Sequence, residues 1–253
     1  MLDNGLVIDA DGNILTRSSP AVQAYLDSNE VKYTLIDEDL FTYMYDQLCS
    51  LDADSLQNAG WAIYYNEPDK RTFYKKEEGK VYGSVITDTV IDAPCQQVMG
   101  CYDNLPVLNK LMPEFYDLEW KKKITDVKGV IYGKQVFPWP LAHRDMAFHV
   151  TGNADYKNHA FFSVSKSIEV GDEFYGYVVE GPPDGSGLVR LDIQMGYNFF
   201  QYLGPNKTRH VAIWNTDPKI DYLPTVLLNY MMSTVLYNQM CNLQKFSVML
   251  GDK

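Results

Sequence analysis

The chain has 253 residues, 46% of them apolar and 13% aromatic, so a full hydrophobic core can form without disulfides or metals. Its net charge of −11 excludes a nucleic-acid binder, which needs clustered Lys and Arg to neutralise phosphate. Permanent electrostatic attachment to an anionic membrane is excluded on the same ground, while brief membrane contact through a local patch stays open.

In chain order, the opening MLDNGLVIDADGN has Asp3 and Asp9 where a secretory signal needs a basic and then an apolar stretch. Leu2 stands where myristoylation requires glycine, so the expected location is cytoplasmic. Residues 1–18 read as a loosely ordered segment, and 19–253 as one domain, because no Pro/Ser/Gly linker divides them. Helices are expected over 20–28 and 37–51. In the second, Leu40, Met44 and Leu48 recur at helical spacing, and Asp37 and Asp39 sit near the positive N-terminal end.

From Trp61 the texture changes. Segments 61–66, 71–76 and 81–90 are rich in Tyr, Val, Ile and Thr and are separated by turn residues, which predicts antiparallel strands. A helical block follows over 93–112. Further strands are predicted at 117–125, 130–137, 144–151, 159–167, 188–195 and 208–214. The run Lys121, Lys122, Lys123 reads as the wet side of its strand. Cys49, Cys95, Cys101 and Cys241 form no CxxC pair and read as reduced core thiols.

The chain closes with a helix of about 25 residues, roughly 38 Å at 1.5 Å per residue, with Pro224 at its first turn. Asn229, Asn238, Gln239, Asn242, Gln244 and Lys245 interrupt it too often for a membrane span. Runs of strands broken by helical blocks give an α+β fold with an antiparallel sheet. A long terminal helix beside a curved sheet has one obvious place to lie, across the concave face. Wherever helix and sheet do not touch, an apolar tunnel remains.

The stretch YGKQVFPWPLAHRD, residues 132–145, resembles the strand-turn-strand signature of StAR-related lipid-transfer (START) domains, in particular its P-x-P-x-x-x-R-D. Gly187, Leu188, Val189 and Arg190 look like the family's G-V-x-R strand start. Asp217, Pro218 and Lys219, followed by Pro224 and Asn229, resemble its approach to the terminal helix. The Phe137, Pro138, Trp139, Pro140 version is most similar to the phosphatidylcholine-transfer branch. The resemblance implies a helix-grip fold, a curved antiparallel sheet wrapped around a long C-terminal helix with an internal hydrophobic tunnel. It implies a monomeric carrier that binds one lipid, of phospholipid or sterol class, and transfers it between membranes through transient surface contact. Two departures bear on the ligand. The block NLPVLNKLMPEF lacks the family's frequent Trp and Arg, and Val150 stands where cholesterol-type members place an interior Arg.

Strand periodicity locates a lining without reference to the family. Ile131, Gly133, Gln135 and Phe137 share one face, Met146, Phe148 and Val150 another, and Val189, Leu191, Ile193 and Met195 a third. Gln135 is the candidate for orienting a polar head. The terminal helix supplies Leu228, Met231, Met232 and Val235, and flexible methionines suit a surface that repacks around varied shapes. The plain alternative is a core helix with nothing beneath it. In its second half Asn238, Gln239 and Asn242 continue the stripe while Leu236, Met240 and Leu243 drift off it. Either the helix turns its stripe toward other helices, or the amides give the tunnel a polar end.

Arg144 and Asp145 are adjacent strand residues facing opposite ways, which suits structural bracing by separate partners; Arg190, Asp217 and Pro224 join them as signature positions. Segment 171–187 is a long loop with many glycines, and loops this long are often functional. The resemblance places it beside the terminal helix, which makes Phe174, Tyr175 and Tyr177 a membrane-touching gate. His143, His149, His159 and His210 form no metal-ligand spacing, and no nucleophile elbow or phosphate loop occurs. Neither cofactor nor catalysis is expected. A lipid-sensing regulator, or a small cyclase or hydrolase on the same fold, are the alternative functions.

Overall fold

The computed structural model describes residues 7–8, 14–15, 53–155, 159–222 and 224–251. The helices expected over 20–28 and 37–51 lie outside these residues. Within the segment expected to be loosely ordered, β1 (Val7–Ile8) pairs antiparallel with β2 (Ile14–Leu15).

A short helix, α1 (Ala53–Asn58), leads into β3 (Ala62–Asn66), β4 (Lys70–Lys76) and β5 (Gly83–Ile91). The helical block is two helices, α2 (Cys95–Asp103) and α3 (Leu105–Leu111). They break at Asn104, whose extended backbone ends the first helix and whose side chain caps the second by accepting from Val107 N at 3.3 Å. Next come β6 (Phe115–Thr125), β7 (Lys128–Gln135), β8 (Arg144–Asp155) and β9 (Ala160–Ser167). A two-strand hairpin, β10 (Glu173–Phe174) and β11 (Tyr177–Val178), precedes β12 (Val189–Arg190), β13 (Asp192–Gly204) and β14 (Lys207–Asp217).

The main sheet has ten strands, in the order β3-β4-β5-β14-β13-β9-β8-β7-β6, with β12 added in parallel to β8. A sheet this wide curls. Its two faces carry different cores. Outward residues Phe73, Ile86, Phe162, Tyr197, Phe199 and Val211 cluster with Leu56 of α1. Inward residues Met146, Leu191 and Ile193 pack with Phe115, Leu118, Phe137, Phe148 and Trp214.

The strand expected over 188–195 is instead two. Its first part runs parallel to β8, and the second continues far past Met195 to Gly204. Residues 196–204 were not legible as strand because Gly196, Tyr197, Asn198, Phe199 and Phe200 are all buried, leaving no wet face to alternate with. A register shift between Ile193 and Met195 moves Met195 off the inward face and into the outer cluster.

The terminal helix is built in three parts: α4 (Thr225–Tyr230), a π-helical turn at Met231–Val235, and α5 (Leu236–Gly251). The wider turn accommodates an extra residue and shifts the phase of everything after it. That is the drift visible in the sequence. In α4 and the turn the inward residues include Leu228, Met231 and Met232; after it they include Leu236, Met240 and Leu243. α5 then packs on α2 and α3, where Leu243 meets Val98, Cys101 and Leu111. Asn242 Nδ2 donates to Leu111 O at 3.0 Å, and Gln244 Oε1 accepts from Asp92 N at 3.0 Å. Two of the helix's amides are thus anchors to its neighbours. Gln239, by contrast, lines the interior and meets Glu114 at 3.3 Å. No helix among the described residues is long and apolar enough to cross a membrane.

Candidate functional site

Between the concave face of the sheet and the terminal helix lies a cavity of about 650 Å³. That is within the usual span of small-molecule sites, about 300–1,000 Å³. Residues of eight strands form its wall: Tyr74 on β4, Val85 on β5, Trp214 on β14, Phe200 on β13, Phe161 on β9, Phe148 on β8, Ile131 on β7 and Leu118 on β6. Gly196 has a steric reason to be glycine. A Cβ there would fall 2.4 Å from the Trp214 ring, so the missing side chain lets the indole lie across the floor.

Of the residues chosen from periodicity, Ile131, Gln135, Met146, Phe148, Val150, Leu191, Ile193, Leu228, Met231, Met232 and Val235 all line this cavity. Val189 does not: it sits on β12, beside Arg144 in register, before the chain turns into β13. Alternation across residues 188–195 assumed one continuous strand, and the break places Val189 elsewhere.

One part of the wall is polar. Registers across β5, β14, β13 and β9 align Thr87, Ala212, Asn198 and Ser163 in one row. His210 and Ser165 flank that row. His210 Nε2 donates to Asn198 Oδ1 at 3.1 Å, and its ring lies against Tyr102 and Phe200 at 5.1 and 4.7 Å between centroids. Burial pushes the His210 pKa down to about 3, so the imidazole is neutral at physiological pH. These residues escaped the sequence reading, although His210, Ala212 and Trp214 alternate within a segment read as a strand.

No protein-family model matches the sequence, and no curated protein matches it. Solved structures do match. Human STARD10 superposes with a TM-score of 0.66 and 16% identity, over 87% of this chain and 82% of its own. Human StAR-related lipid transfer protein 5 gives 0.62 and 18%, over 85% of this chain and 100% of its own. A STAR-related lipid transfer protein fragment from Xanthomonas axonopodis gives 0.58 and 17%, over 75% and 99%. The chain has the START fold.

Within this fold the signature residues tie together loops and strands beside the cavity. Buried Arg144 donates from Nε to Pro218 O at 2.7 Å, from Nη2 to Lys219 O at 3.3 Å, and from Nη1 to Ala142 O. It thereby ties the 136–143 loop to the segment that leads into the terminal helix. Asp145, facing the other way, receives both guanidinium arms of Arg190. Asp217 accepts from Lys219 N at 2.8 Å, and Pro224 O accepts from Leu228 N at 3.0 Å in the first turn of α4.

The gate assigned to Phe174, Tyr175 and Tyr177 is overturned. None of the three lines the cavity, and Phe174 is 1% exposed, packed on the outer face against Val130, Ala147, Ile168 and Val179. Its ring lies 5.6 Å from His149, and Lys128 Nζ donates to the Tyr175 hydroxyl. The physical reason is the second face of β7 and β8. Val130, Ala147 and His149 point away from the cavity and need cover, which the 171–179 segment supplies.

Val136, Phe137 and Pro138 line the cavity, as do Leu227, Leu228 and Tyr230 of α4. Next to these segments in the chain, Trp139 is 93% exposed, Val226 82% and Tyr222 72%. α4 buries none of its own residues, and its fixed contact is Asn229 Oδ1 accepting from the Tyr64 hydroxyl at 3.3 Å.

Proposed function

We propose that this protein binds one lipid molecule in the cavity and carries it between membranes. The observation that carries the reading is the mainly apolar cavity between sheet and helix. A lipid tail gains about 25 cal/mol for every Å² of apolar surface it removes from water there. The names of the similar human and bacterial proteins point the same way.

Exchange needs an opening, and the first part of the terminal helix is suited to it. α4 has no buried residue of its own, and the π turn that follows is a natural hinge, since such turns commonly mark sites of function. We place the opening there, with exposed Trp139, Tyr222 and Val226 as the apolar rim that a membrane interface would accept. The net charge of −11 keeps that contact brief.

The reading is carriage rather than chemistry. The one side-chain hydrogen bond of His210 goes to an amide, and burial holds its ring neutral. Mixing donor vesicles holding a labelled lipid with unlabelled acceptor vesicles tests the proposal. Transfer should accelerate in proportion to protein concentration. Folded protein that leaves the spontaneous rate unchanged refutes it.

A further inference from the structure

Asp103, Glu114 and Asp126 line the cavity, the last paired at its exposed end with Lys123 at 2.8 Å, and among the described residues no Lys or Arg lines it. Arg144 is committed to backbone oxygens, Arg190 to Asp145, and Arg71 and Arg209 to Asp88 on the outer face. A phosphate group carried into this interior meets no lining cation. An uncompensated buried charge is among the costliest things a protein interior can hold.

The sheet floor supplies a cluster of neutral hydrogen-bonding groups. Asn198 is 5% exposed and His210 3%, yet both line the cavity. Asn198 Oδ1 can only accept, so His210 carries its proton on Nε2, which leaves Nδ1 an acceptor in the neutral ring. Ser163, Ser165 and Thr87, each carrying a hydroxyl, line the cavity beside this pair. In a mainly apolar wall, such groups favour a ligand with matching polarity. A wholly apolar guest would strand them, and buried polar groups left unmatched are unfavourable.

Resting on the carrier reading, we infer that the cavity selects an uncharged lipid whose polar end bears hydroxyl or amide groups, seated on Asn198, His210, Ser163 and Thr87, and discriminates against phosphate-headed lipids. The head lies on the sheet floor, and the hydrocarbon runs under the terminal helix toward Met231 and Met232. Specificity then comes from paired neutral hydrogen bonds and from the absence of a counter-charge for phosphate.

The test offers the full chain vesicles containing three separately labelled lipids: a sterol, an N-acyl sphingoid base and phosphatidylcholine. The protein is recovered by flotation and its label counted. The expected result is at least tenfold preference for the sterol or the N-acyl sphingoid base over phosphatidylcholine, with the two neutral arms showing which source the site accepts. Asn198→Leu should lower uptake of the preferred lipid about tenfold while the unfolding midpoint stays near wild type. Should that variant fail to fold, Ser163→Ala should still lower uptake about threefold. Equal or preferential uptake of phosphatidylcholine overturns the inference and leaves the carrier reading standing. Undiminished uptake by a folded Asn198→Leu protein also overturns it. Uptake of no label at all overturns the carrier reading, and this inference with it.

Discussion

Arg190 grips Asp145 with two nitrogens, Nε at 3.0 Å and Nη2 at 2.9 Å, and the same Nη2 also reaches Glu180 O at 2.9 Å. Asp145 is fully buried, so this one carboxylate joins β8 to β12 and to the loop before it. Removing the acid leaves a largely buried guanidinium without its counter-charge. Asp145→Ala should therefore destabilise the fold by about 3–5 kcal/mol. Urea unfolding reads this directly, and a loss under 1 kcal/mol would show that the pair is ornamental.

Phe174 fills the outer face rather than the cavity wall. Phe174→Ala should cost about 3–5 kcal/mol of stability, the usual range for emptying a core aromatic site. At a temperature where the variant stays folded, its lipid transfer rate should match wild type. A selective loss of transfer without loss of stability would restore the 171–187 loop as a gate.

The rim assigns membrane contact to exposed side chains that support no core. Trp139→Ala combined with Val226→Ser should leave unfolding unchanged within about 0.5 kcal/mol, as expected for exposed positions. Vesicle affinity and transfer rate should both fall about tenfold or more, because a large aromatic that inserts contributes on the order of 2 kcal/mol even when half buried. Vesicle flotation and transfer kinetics measure the two quantities. Unchanged values place the contact surface elsewhere.

His149 and His210 are both pushed down to about 3, chiefly by burial, so both rings are neutral in the folded chain. In the unfolded chain they take up protons near 6.5. Below that pH the unfolded state binds more protons, so stability is full above about 6.5 and falls as pH drops toward about 3. The slope reaches up to about 1.4 kcal/mol per pH unit for each ring. His149→Phe should remove one ring's share of the slope between pH 6 and pH 4 in urea titrations. Identical slopes in variant and wild type would contradict this. Because His210 stays neutral, lipid binding should be flat between about pH 5 and pH 8.

Much of the fold was legible because alternate residues of its strands face the cavity and the opposite side of the sheet. Ile131, Met146, Phe148 and Val150 could be placed on one lining by period-two alternation alone. The method fails where alternation stops carrying information. Residues 196–204 are buried on both faces at their start and hide the longest strand. A bulge at Ile193 and Met195, together with the split at Leu191, sends Val189 and Met195 away from the cavity. The π turn was visible as a drifting stripe, but a drift does not name the turn that causes it. The polar row of Thr87, Asn198 and Ser163 exists only through register between strands far apart in sequence, which no local pattern encodes. Phe174 misled for a different reason: an aromatic in a glycine-rich loop looks exposed until a second apolar sheet face beneath it is known.

The central claim is an interior that holds one lipid, and native mass spectrometry tests it most directly. Protein incubated with vesicles of mixed lipid composition and then separated from them should carry the added mass of a single lipid. Met231→Arg, which sets a charge into the lining beneath the terminal helix, should keep its far-ultraviolet circular dichroism and carry none. Wild-type protein that emerges ligand-free, or a Met231→Arg variant carrying as much lipid as wild type, would contradict the account.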